Sequence, residues 1–143
     1  MNRSSPPPIP ARRLLSGAAA LSSLWALTAC VATPSPFSSE RTPDDDVPTD
    51  VSRRLELADP TSTRLAGIVD GNRVYLALPR ATEHGVCLVL VDDSEDPVEG
   101  CGTAPQFDVL SPTITARFVV DGGGEVGRGW TRVSPNVSIR ARD

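Results

Sequence analysis

A small antiparallel β-sandwich or partly open barrel, with at most one short covering helix, is the fold class this sequence predicts. Three observations predict it. From Arg64 onward, runs of β-branched and aliphatic residues recur at short intervals; the gaps hold Gly, Pro, Asn or Asp; and one run is apolar at every position. The spacing is that of an antiparallel sheet.

In chain order the runs are RLAGIV (64–69), RVYLAL (73–78), VCLVLV (86–91), TITARFVV (113–120), GWTRV (129–133) and VSIRA (137–141). Asp70-Gly71-Asn72 joins the first two with residues that tolerate positive φ, which predicts a hairpin. Pro79, Pro97, Pro105, Pro112 and Pro135 all fall between runs, where no ladder donor is lost. VCLVLV lacks the polar alternation of its neighbours, as a central strand covered on both faces requires. Residues 50–62, DVSRRLELADPTS, suit either a helix of two turns capped by Asp50 and ended by Pro60, or a short strand carrying Leu55 and Leu57. Five or six strands are expected, around a core whose aromatics are Tyr75, Phe107, Phe118 and Trp130.

The first 29 residues have a different composition. A polar, Pro-rich start ends in Arg12-Arg13, and the next sixteen residues, Leu14 to Ala29, carry no charge. That is an export signal's basic region followed by its apolar region, and it falls short of the roughly 20 apolar residues that span a bilayer. The run closes on Leu27-Thr28-Ala29-Cys30, which resembles the lipobox of bacterial lipoproteins: an aliphatic residue, two small ones, then Cys. The resemblance covers residues 1–30. It implies removal of residues 1–29, acylation of Cys30 and a lipid anchor on the extracytoplasmic face of the cell membrane. Arg12-Arg13 before Leu14-Leu15 also resembles a twin-arginine export signal.

Residues 30–50 read as a flexible linker: four Pro, an Asp run and few large apolar groups cannot order themselves. Twenty such residues span on the order of 25 Å as a coil. Residues 51–143 remain for the β-rich domain. With the anchor implied, Cys87 and Cys101 face oxidising surroundings and are expected to pair, closing a loop of about fifteen residues.

Removing the leader takes three arginines and no acid, so fourteen Arg against eighteen Asp and Glu become eleven against eighteen. This acidic balance opposes binding of nucleic acid. Little points to catalysis. His84, the single histidine, sits in a turn beside Glu83; a hydrolase acting on wall or lipid substrates would need it to meet Glu83 or Asp108. Gly122, Gly124 and Gly127 spell a dinucleotide-binding pattern, but Pro135 and β-type runs follow where a helix should open, so a hairpin loop is expected. Asp92, Asp93 and Asp96, with Glu99, form an acidic stretch suited to calcium, yet Pro97 stands where an EF-hand loop needs Gly. No cofactor motif is present. The expected function is therefore non-enzymatic: a tethered domain that binds a protein or envelope component, with a sheet edge and Tyr75 or Trp130 as contacts.

Overall fold

Alternation along the predicted runs sorts their side chains into two faces, and burying the apolar faces against each other produces two four-stranded antiparallel sheets. The computed structural model describes residues 35–93, 96–123 and 126–142. The leader, Cys30 and the rest of the lipobox, the first linker residues, Ser94, Glu95 and Gly124 lie outside the described residues.

The first sheet runs in sequence order through β1 (Arg64–Val69), β2 (Asn72–Ala77), β3 (Val86–Val91) and β4 (Val98–Gly102). The second holds β5 (Gln106–Leu110), β6 (Ile114–Val119), β7 (Thr131–Ser134) and β8 (Val137–Ala141), in the order β5-β6-β8-β7. The sheets pack as a sandwich and do not close into a barrel. All six predicted runs are strands, and two more exceed the expected five or six. Both were hidden by glycine and by brevity: β4 reads VEGCG, a loop composition, and β5 is five residues between Pro105 and Pro112.

Gly100 on β4 serves contact between the sheets, because a Cβ there would meet Val109 Cγ2 at 2.6 Å. At the opposite corner β1 and β7 are both irregular, between Leu65 and Gly67 and between Arg132 and Ser134, and a Cβ on Gly67 would meet Val133 Cβ at 2.9 Å. Missing side chains thus let the sheet edges approach at both corners. The β1–β2 hairpin forms as expected: Val69 faces Asn72, leaving Asp70 and Gly71 at φ 50° and 80°, the two positive angles of a type I′ turn.

β3 lies between β2 and β4 and is buried on both faces. Leu88 and Leu90 enter the inter-sheet core with Val74, Leu76, Phe118 and Ile139. Cys87, Val89 and Val91 point the other way, into a second core shared with Tyr75, Val47, Val51 and Leu55. Tyr75, at 2% exposure, is core and not a contact residue.

The second core overturns the linker reading for residues 37–50. Phe37 packs on the inter-sheet core, and Val47, Val51, Leu55 and Ala58 cover the outer face of the first sheet. Apolar content alone did not reveal this, because the segment is held largely by polar bonds. Asp45 accepts from the Leu65 amide at 2.7 Å, and Arg41 donates to Thr63 Oγ1 at 3.1 Å. The Glu99 carboxylate accepts from the amides of Glu56, Leu57 and Ala58 at 2.6–2.9 Å. One short helix, α1 (Thr49–Ser52), sits in the cover as a single turn; it begins after Pro48 and does not reach Pro60.

Candidate functional site on the outer face of the second sheet

Alternation along the second sheet sends Ile114, Ala116, Phe118, Val137 and Ile139 inward, and therefore Thr115, Arg117, Ser138 and Arg140 outward. Gln106 and Asp108 join them from β5, and Arg132 from β7. Among the described residues, the chain covers the outer face of the first sheet itself, whereas over this one lies only the stretch between β6 and β7.

That segment follows from topology. β6 and β7 both pair antiparallel with β8, so they run parallel to each other and cannot be joined by a hairpin. The described parts of the connection, residues 120–123 and 126–130, instead lie over this face between β6 and the start of β7. This corrects the hairpin reading of Gly122 and Gly127, and no helix opens there among the described residues. Arg132 holds the crossing in place by donating to the carbonyls of Gly122 and Gly123 at 2.9 and 2.6 Å. Beneath it lies a cavity of ≈ 120 Å³ lined in part by Gln106, Arg117, Trp130 and Ser138.

Trp130 closes the crossing. Its half-buried ring lies against two guanidinium groups, with the Arg117 carbon 4.2 Å and the Arg140 carbon 4.9 Å from the ring centroid. Arg117 also grips Asp108 through two parallel bonds, Nε to Oδ1 at 2.7 Å and Nη2 to Oδ2 at 2.8 Å. These bonds hold the Asp108 carboxyl below its usual range, against a smaller opposing effect of burial, and raise the Arg117 guanidinium in turn.

The other sequence candidates do not converge. His84 is exposed between β2 and β3, where its carbonyl accepts from Thr82 Oγ1 at 2.8 Å, and Glu83 beside it is exposed too. Asp108, the other acid a hydrolase would need, is committed to Arg117 on the second sheet. In the acidic stretch, Asp96 pairs with Arg54 at 2.7 Å, Arg54 reaches Asp50 at 3.5 Å, and Glu99 is spent on three backbone amides. Asp92 and Asp93 lie in a recess that Arg73 also lines. Among the described residues no three His, Cys, Asp or Glu side chains cluster so as to hold a metal.

Cys87 and Cys101 are paired residues on β3 and β4, with sulfurs joined at 1.98 Å. Cys101 thus belongs to a strand, although Gly100 and Gly102 on either side of it give a loop composition. The arginines of the open face escaped the sequence reading, although the alternation in TITARFVV and VSIRA already set Arg117 and Arg140 opposite the apolar positions.

Fold and face together define an antiparallel β-sandwich domain with one self-covered sheet and one open sheet bearing arginine and tryptophan. No protein-family model matches the chain, and no curated protein or solved structure matches it either.

Proposed function

We propose that this chain is a cell-envelope lipoprotein, anchored through acylated Cys30 on the outer side of the cytoplasmic membrane. Its β-domain acts without catalysis, by binding a protein or envelope component. Leu27-Thr28-Ala29-Cys30 at the end of an uncharged run supports the anchor, and the Cys87–Cys101 bond suits oxidising surroundings. The unequal treatment of the two outer faces carries the binding role. Among the described residues the chain spends residues 47–58 on covering the first sheet, whereas the second presents a half-buried tryptophan, two arginines against its ring and a cavity to its surroundings.

Two measurements test the reading. Cys30→Ala is expected to abolish the mass increase from acylation and release the protein from the membrane fraction; unchanged mass and partitioning would refute the anchor. Trp130→Ala is expected to keep the fold, read by near-UV circular dichroism, while abolishing recovery of the partner crosslinked by the parent protein in intact cells. Undiminished recovery would move the binding role away from this face.

A further inference from the structure

The open face already performs one recognition step on its own residues. Arg117, laid against Trp130, takes the Asp108 carboxylate in a two-bond fork. Arg140 is its diagonal neighbour, because the β6–β8 register pairs Arg117 with Ser138 and Thr115 with Arg140. Both guanidinium groups lie against the same ring. Yet among the described residues Arg140 has no carboxylate of its own at ion-pair distance. Its exposed side chain lines an open groove of ≈ 410 Å³ with Leu110, Thr115 and Arg142. Arg142 is fixed at the groove's edge by donating to the Ser111 carbonyl at 2.6 Å.

We propose that Arg140 is an oxyanion-binding residue of this face, taking a carboxylate group of an external ligand as Arg117 takes Asp108. The inference rests on the binding role proposed above and names the chemistry of the ligand. Contact with the Trp130 ring at 4.9 Å restrains the guanidinium, so less freedom is lost when a planar two-oxygen group docks. Arg142 adds a second positive charge beside the groove.

The chain's negative balance does not oppose this, because the charge is unevenly spread. Residues 35–105 hold fourteen acids against six arginines, whereas residues 106–143 hold four acids against five. The described lining of the groove holds two arginines and no acid, and their charge acts at short range, where screening by salt is weakest.

The test titrates the full chain in detergent with succinate, its neutral isostere succinamide and inorganic phosphate, reading binding heat and the Arg140 Nε–Hε resonance. Succinate is expected to bind saturably and to shift that resonance; succinamide should do neither, and phosphate should bind more weakly. Arg140→Gln should weaken succinate roughly tenfold or more, the loss expected when a charge-assisted pair is removed. Arg140→Lys should recover little, since an ammonium offers no fork. Arg53→Gln, which removes an exposed charge elsewhere, should change nothing. Equal weakening by Arg53→Gln, unchanged binding in Arg140→Gln, or tighter binding of phosphate or succinamide would overturn the proposal. Membrane partitioning is followed in the same variants, so a failure of succinate to bind overturns the oxyanion site while leaving the Cys30 anchor to its own test.

Discussion

Asp45, Asp59 and Asp108 all lie below the usual carboxylate range, each for a local reason. Burial is the largest influence on Asp45 and pushes it upward, but donors from Thr42 and Leu65, with Arg64 nearby, together pull it below. Thr61 donates to Asp59 from backbone and side chain, and Arg117 to Asp108. Each folded pKa is depressed, so each acid contributes stability that is complete above the unfolded value and lost as pH falls through the folded one. Urea unfolding is expected to show stability nearly constant from neutrality to about pH 4, then a decline whose slope is shallower in Asp45→Asn and Asp108→Asn. An unchanged acid slope in both variants would count against these bonds. At the corner between the sheets, Gly100→Ala should cost about 1–3 kcal/mol by overpacking against Val109, and Val109→Ala in the same chain should recover part of that loss. Additive losses in the double variant would show that the two do not touch. At this scale the sequence was least legible: Gly100 and Glu99 do their work through partners that pairing supplies, and neither has a local pattern to announce it.

The elements were legible where alternation or continuous apolarity is strong, as in β1, β2, β3, β6 and β8. β4 and β5 were not, because a strand that gives up side chains for close contact loses the pattern that identifies strands. The cover over the first sheet was missed for a related reason: its apolar residues are sparse and its hold is polar. The three amides bound by Glu99 make that hold testable. Glu99→Ala leaves them without their acceptor, which should cost about 1–3 kcal/mol. Hydrogen exchange should then rise first at residues 56–58, ahead of the β2 and β3 amides. Uniform loss of protection throughout the sheet would mean that the cover does not open separately. The open face followed the same logic: alternation showed which residues point outward, but only the register of β6 with β8 brings Arg117 and Arg140 to one ring.

For the whole molecule, the disulfide joins strands that already pair, across a sequence separation of 14 residues. Its chain-entropy contribution is about 3 kcal/mol, so reduction or Cys101→Ser should lower the melting temperature by on the order of 10–20 °C for a domain this small. A shift of only a degree or two would assign the stability to the two cores alone. Alkylation before reduction should label neither Cys87 nor Cys101. The sandwich class, the central strand and the cysteine pair could all be read from residue order, since each depends on pattern or count. The division into a self-covered sheet and an open one could not, because it is decided by which surface residues 47–58 settle on.

The order of the second sheet bears on when the domain can form. β8 follows β7 in sequence, yet it lies between β6 and β7 and, among the described residues, supplies the one ladder that β7 has. A polypeptide emerging amino terminus first can assemble the β1–β4 meander early, but β7 must wait without a partner until Val137–Ala141 arrives and threads between its neighbours. Final closure of the second sheet thus waits for Val137–Ala141, and only then can Arg117 on β6 and Arg140 on β8 meet across the Trp130 ring.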